Sequence, residues 1–215
     1  VINNGLNQAW TPFVYANYNK ANSHCLLSTN AQKAVLLVLF LGVVLILFSK
    51  ELLIIIGKIE YLLVLNVLPI LVVSYIFQMI YFIQVAIIIY NMQSKLLPVI
   101  SISSGLVCIL SNILLIPKLG MYGAAIGTSI SFILMAFFAY LFSRRYLKVQ
   151  ILNFRIFIFL LFMLLILSVY LIFINHFSVV EWFFMKIVLL FSVVILLVRL
   201  KLLNFKNLKE LFQSI

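Results

Sequence analysis

The side chains of this sequence that could do chemistry inside its apolar segments are neutral amides, hydroxyls and phenols. They recur at helical spacing in three places, so each group would share one face of a helix. Such side chains form hydrogen bonds with sugars, with water or with a neighbouring helix. The three groups are Asn4, Asn7, Gln8, Thr11 and Tyr15; Ser74, Gln78 and Tyr81, with Gln84 at the edge; and Ser101, Ser104, Cys108, Ser111 and Asn112.

Charged and nucleophilic chemistry is not expected in these segments. No Asp, Glu, Lys, Arg or His lies in the middle of one, which argues against a proton relay or a carboxylate cation site. No base accompanies a nucleophile, so we predict no catalytic residue and no enzyme. Cys25 and Cys108 form no disulfide framework, and His24-Cys25 is too small a ligand set for zinc, so no metal and no cofactor are predicted.

Two interpretations of the polar groups are open. Taken singly, these side chains are typical of helix–helix packing, where an interhelical hydrogen bond contributes about 0.6 kcal/mol. Taken together, the three groups favour one shared hydrated cavity, because amides that face lipid are costly. The candidates for lining that cavity are Asn4, Gln8, Thr11, Tyr15, Ser74, Gln78, Tyr81, Ser104 and Asn112.

Membrane-length apolar segments must position these groups. The 215 residues are 67% hydrophobic and 9% charged, and their mean hydropathy is +1.30, which exceeds what a soluble domain of this size can bury. Near the N-terminus, "NNGLNQAWTPFVYANY" resembles the last turns of a truncated span. We therefore predict an all-α integral membrane protein, a bundle of about six to seven transmembrane helices of about 20 residues each. The full spans are expected near 34–56, 62–91, 97–116, 121–143, 154–174 and 182–203.

The basic residues predict the orientation of these spans. If 17–33 is a cytoplasmic loop and the spans alternate, eleven of the fifteen Lys and Arg residues are cytoplasmic and four are outside. Cytoplasmic loops carry such an excess, which accounts for the net charge of +11 without nucleic acid. The tail "NFKNLKELFQSI", which we expect to be either a short amphipathic helix at the surface or frayed, is then cytoplasmic. Because the chain begins at Val1 without a signal peptide, we expect a fragment whose upstream part is missing.

Small residues concentrate in one stretch, from 112 to 131. Gly120, Gly123, Gly127 and Ser131 recur at steps of three and four residues, a spacing that lets another helix backbone approach closely, and they are the predicted helix-packing residues. Pro117 and Gly120 predict a tight outer turn between two antiparallel spans. Pro69, placed inside a span, predicts a kink.

Three motifs resemble those of one transporter family. The stretch "NILLIPKLGMYGAAIGTSIS" resembles the signature N-x-x-L-I-P-x-x-G-x-x-G-A-A-x-x-T of polysaccharide flippases, the O-antigen and capsule unit translocases of the MOP exporter superfamily. The segment "NQAWTPFVY" is similar to the W-x-P-F segment that ends an earlier helix in those proteins, and "YLLVLNVLPILVVSYIF" to their following Y-x-x-x-x-x-x-L-P-x-L span. The motifs occur in the expected order and cover about 1–145.

The resemblance implies both an architecture and a function. Residues 1–148 would form the C-terminal lobe of a MATE-like flippase fold, and 149–215 two further helices with the cytoplasmic tail. The missing N-terminal lobe of the same protein would be the structural partner. The substrate would be an undecaprenyl-diphosphate-linked oligosaccharide, moved across the bacterial inner membrane for surface polysaccharide biosynthesis. In that function, neutral amides, hydroxyls and Tyr rings would offer the sugar exchangeable hydrogen bonds.

Three alternatives to this function are open. A multidrug or toxin exporter of the same superfamily would share the fold. A truncated product would transport nothing, because half of a rocking pair cannot enclose a pathway. A membrane O-antigen polymerase or ligase is the least favoured, because the longest outer connection, about 175–181, is too short to hold its reactive residues.

Overall fold

The computed structural model describes residues 2–20, 22–56, 64–146 and 191 of the chain. The helices there are α1 (Ile2–Asn17), α2 (Ser23–Ile56), α3 (Leu68–Tyr90), α4 (Leu96–Leu119) and α5 (Met121–Ser143). No strand occurs among these described residues. The chain divides into two compact units, Val1–Ile151 and Leu152–Ile215, and the five helices belong to the first. The spans predicted at 154–174 and 182–203, and the amphipathic tail, lie outside the described residues.

Four of the five helices are long and apolar enough to cross a membrane: α2, α3, α4 and α5. This confirms the prediction of an all-α membrane protein. Helices α3, α4 and α5 each have 23 or 24 residues, a rise of about 35 Å, which matches the hydrocarbon thickness of about 30 Å. Short connections join them, so each runs antiparallel to the next along the chain.

The connection predicted at 17–33 is shorter in the structure, and the helix after it is longer. Helix α2 begins at Ser23 and continues through the polar sequence at 49–51 to Ile56. The additional turns at the start of α2 contain no Gly or Pro that would stop a helix. The 34 residues of α2 rise about 51 Å, which exceeds the thickness of the bilayer core. Both ends of α2 can therefore reach the polar border of a membrane, where Lys33 and Lys50 can extend their charged ends into water.

Pro69 does not produce the expected kink, because of its position in the helix. Pro69 lies in the first turn of α3, where its missing N–H costs no helical hydrogen bond, so it begins that helix and does not bend it. Pro117 belongs to the last turn of α4. The connection to α5 is Gly120 alone, whose φ of 55° is a conformation that glycine adopts at little steric cost.

Helix α3 is the centre of the described unit, because it packs against α1, α2 and α5. Helix α5 lies against both α3 and α4. A core cluster at one end of these helices contains Tyr81 and Ile88 of α3, Ile100 of α4, and Ala136 and Ala139 of α5. The outward side of α4 is exposed and apolar, as at Ile102, Leu106, Ile109, Ile113 and Leu114.

Candidate functional site

Helix α1 packs against α3 through a face that includes two polar residues. The side-chain amide of Asn3 donates to the backbone oxygen of Tyr75 at 2.8 Å and to Oε1 of Gln78 at 2.9 Å. Nε1 of Trp10 donates to the backbone oxygen of Ile83 at 3.3 Å. These bonds, together with the buried side chain of Val14, fix which side of α1 faces α3.

The polar group of α1 lies away from that packed face. Asn4, Gln8 and Tyr15 are exposed, and Asn7 is half-buried. Thr11 is half-buried and donates to the backbone oxygen of Asn7 at 3.0 Å. The amides of Asn4 and Gln8 make no hydrogen bond to any other described residue. We call the group of Asn4, Gln8, Thr11 and Tyr15 the α1 polar face.

The tyrosine of the α1 polar face is held by a small aromatic cluster. The ring of Tyr15 packs edge to face against the ring of Tyr90, with 5.3 Å between the centroids. Tyr90 in turn stacks on Tyr18, with 4.1 Å between the centroids. The side-chain amide of Asn91 donates to the Tyr18 hydroxyl at 2.8 Å. Tyr15 still exposes 44% of its surface, so the position of the ring is fixed while part of it is open.

The polar group of α3 is divided among several helix contacts. Ser74 is fully buried, and its Oγ lies 2.6 Å from Oγ of Ser129 in α5. Gln78 accepts from Asn3 of α1. Oε1 of the buried Gln84 accepts from the hydroxyl of Ser143 in α5, while its buried Nε2 has no hydrogen-bond partner among the described residues. Tyr81, the remaining member, belongs to the core cluster.

Part of the polar group of α4, Ser104 and Asn112, lies at a close contact with α5, whereas Ser101 is exposed; the Ser104 hydroxyl itself donates to the backbone oxygen of Ile100 within α4. The hydroxyl of Ser131 donates to the backbone oxygen of Ser104 at 3.0 Å. A Cβ on Gly123 would overlap the backbone of Leu115, and one on Gly127 would overlap Oδ1 of Asn112. Gly123, Gly127 and Ser131 therefore lie where α5 approaches α4, whereas Gly120 forms the exposed turn.

Asn112 has its two amide atoms in different surroundings. Nδ2 donates weakly to Sγ of Cys108 on the same helix at 3.7 Å. Oδ1 is buried, lies against Gly127 and has no conventional hydrogen-bond partner in the part of the chain that the structure describes. A backbone Cα–H is the group that can approach an oxygen there, a weak contact that recurs between closely packed helices.

The three groups therefore have different environments. Ser74, Tyr81 and Ser104 are buried in helix contacts, which is the packing interpretation. The α1 polar face is the part of the candidate set that is turned outward. Sequence reasoning missed Asn3, Ser129 and Ser143, although the apolar spacing of Trp10 and Val14 indicates the buried face that Asn3 shares.

Metal chemistry has no support in the described residues. No group of three or more His, Cys, Asp or Glu side chains is close enough there to hold an ion. Both cysteines are free; Cys25 is exposed and Cys108 is half-buried. Hydrogen bonding is thus the chemistry that the outward-facing residues of α1 offer.

The motifs that resemble polysaccharide flippases occupy defined places in this structure. "NQAWTPFVY" lies on α1 and carries most of the α1 polar face, and the Leu-Pro pair of the second motif begins α3. The third motif forms the α4–α5 turn and its close contact. No family model matches the chain, and neither a curated protein nor a solved structure matches it.

Proposed function

We propose that this chain is part of a bacterial inner-membrane transporter that moves undecaprenyl-diphosphate-linked oligosaccharide units for surface polysaccharide biosynthesis. The observation that carries the proposal is the α1 polar face, whose amides at Asn4 and Gln8 are exposed on a membrane protein. Amides exposed to hydrocarbon would be costly, so this face requires water, a glycan or further protein beside it.

A glycan fits the chemistry of the α1 polar face. The amides of Asn4 and Gln8 each offer donors and an acceptor, which suits the hydroxyls of a sugar. The partly exposed ring of Tyr15 adds an apolar surface with a polar tip, which suits a sugar ring. Neutral hydrogen-bonding groups can bind a sugar and also release it, and a transporter must both bind and release its substrate.

The remaining candidates would serve the transporter indirectly. Ser74 bonds α3 to α5, and Tyr81 and Ser104 are buried where α3, α4 and α5 pack, so they would help to keep these helices rigid during transport. The outward apolar side of α4 suits lipid. The resemblance implies a second lobe opposite the α1 polar face, with the two lobes alternating access to a wet path between them.

The test is a set of substitutions in the complete gene. Asn4→Leu combined with Gln8→Leu removes the amides from the α1 polar face. We expect surface polysaccharide to fall at least several-fold at normal protein level, with lipid-linked units accumulating in the inner leaflet. Ala9→Leu, a change at another exposed residue on a different side of α1, is the matched control and should leave polysaccharide unchanged.

Two results would contradict the proposal. Normal polysaccharide in the Asn4→Leu/Gln8→Leu strain, with the protein correctly inserted, would remove the α1 polar face from the pathway. Loss of resistance to a toxic compound with normal polysaccharide would instead assign the chain to the multidrug exporters.

A further inference from the structure

One end of the α3, α4 and α5 group carries three exposed basic residues, Lys95, Arg144 and Arg145. Lys95 directly precedes Leu96, the first residue of α4, and the two arginines directly follow α5. Leu96 of α4 and Phe142 of α5 pack against the same core cluster, so the first turn of α4 and the last turn of α5 lie together. The three cations, which we call the basic end, therefore flank one junction.

The basic end has no neutralising partner nearby in the sequence. No Asp or Glu occurs between residues 61 and 180. The described helices α3, α4 and α5 therefore contribute no carboxylate, and the three positive charges act together. Their summed potential attracts an anion from outside these helices.

The backbone around the basic end is already satisfied, so the side chains must do the binding. The first two N–H groups of α4, those of Leu96 and Leu97, donate to the backbone oxygens of Gln93 and Ser94. Pro98 has no N–H to offer. The guanidinium groups of Arg144 and Arg145 remain, and each can bind a phosphate through two parallel hydrogen bonds.

The membrane setting identifies which phosphate is available. Arg144 and Arg145 directly follow a helix of membrane length, so they lie at the level of the headgroups. Tyr140 and Tyr146, both partly exposed, flank them, and such rings are typical of the membrane–water border. We propose that Lys95, Arg144 and Arg145 form a binding site for the headgroup of an anionic phospholipid. The site is independent of the proposed transport function.

The test measures lipid bound to the purified full chain by native mass spectrometry during titration with phosphatidylglycerol or phosphatidylcholine. We expect phosphatidylglycerol to bind about 100-fold more tightly, because each of the three basic residues contributes about fivefold in affinity for an anionic lipid near a membrane surface. Arg144→Gln combined with Arg145→Gln should weaken phosphatidylglycerol binding roughly 20-fold and leave phosphatidylcholine binding unchanged. Lys95→Gln, which leaves α5 intact, should weaken it about fivefold.

Matched controls separate a site from a general charge effect. Lys118→Gln removes one exposed charge at the opposite end of α4 and should change phosphatidylglycerol binding less than twofold, in contrast to Arg145→Gln. Equal retention of the two lipids, or equal effects of Lys118→Gln and Arg145→Gln, would overturn the proposal. Displacement of the lipid by an equimolar amount of inorganic phosphate would also overturn it, because the site would then bind a free anion.

Discussion

Gly123 of α5 lies directly against the backbone of Leu115 in α4, so closely that a Cβ at residue 123 would overlap the carbonyl group of Leu115. Four residues further along α5, a Cβ at residue 127 would overlap the side chain of Asn112. The two glycines occupy one interface, but what opposes them differs: a fixed backbone in one case and a rotatable amide in the other. This difference predicts unequal responses to the same substitution.

Gly123→Ala should destabilise the protein more than Gly127→Ala. The Leu115 backbone cannot move without separating the helices, so we expect a loss of about 2–3 kcal/mol for Gly123→Ala, the upper part of the range for overpacked cores. At Gly127 the Asn112 side chain can rotate, and we expect about 1 kcal/mol. Unfolding in mixed detergent micelles, followed by circular dichroism, measures both, and equal losses would contradict this account of the interface.

Asn112→Ala should rescue Gly127→Ala and leave Gly123→Ala unchanged. The shorter side chain makes room for a methyl group at residue 127 and removes a buried oxygen that has no conventional partner. A double-mutant cycle should therefore give a favourable coupling of about 1 kcal/mol for residues 112 and 127 and nearly none for residues 112 and 123. Coupling of equal size for the two pairs would show that the amide oxygen does not determine the contact.

Ser143→Ala should destabilise the protein, whereas Gln84→Met should not. Ser143→Ala leaves both amide atoms of the buried Gln84 without partners, and we expect a cost of about 1–2 kcal/mol. Gln84→Met removes the unpaired Nε2, and the Ser143 hydroxyl can still donate to the backbone oxygen of Tyr140, so stability should be unchanged or higher. Thermal unfolding of the two variants in one detergent decides this, and a large loss for Gln84→Met would disagree with it.

Substitution of two adjacent asparagines, Asn3 and Asn4, should have unequal effects on stability. Asn3→Ala removes two hydrogen bonds to α3 and should destabilise the packing of α1 by about 1 kcal/mol. Asn4→Ala changes an exposed residue and should leave the melting temperature within about 1 °C, an effect below 0.5 kcal/mol. The reverse order in a thermal unfolding experiment would mean that α1 presents a different side to α3.

The membrane class and most of the helices could be predicted from the sequence because their causes are local. Apolar runs of about 20 residues define the spans, and helices α3, α4 and α5 agree with the predicted spans within a few residues except at the start of α3. The start of α2 was wrong by about ten residues, because polar residues without Gly or Pro continue a helix beyond the lipid. Whether Pro69 begins α3 or kinks it depends on its distance from the first residue of α3, and the sequence pattern did not define that residue.

The environments of the polar side chains were decided by the tertiary structure alone. Ser74 and Gln8 are both polar residues at helical spacing, but one is buried against α5 and the other is exposed. Which of these occurs depends on the rotation of each helix about its axis, and that rotation is set by contacts between residues far apart in sequence, such as the bond from Trp10 to Ile83. The sequence by itself determined that this is an all-α membrane protein with neutral polar helices. Only the packing of α1, α3 and α5 determined that Ser74, Gln78 and Gln84 bind neighbouring helices while the α1 polar face is largely exposed, because a periodic pattern fixes a face but not its neighbour.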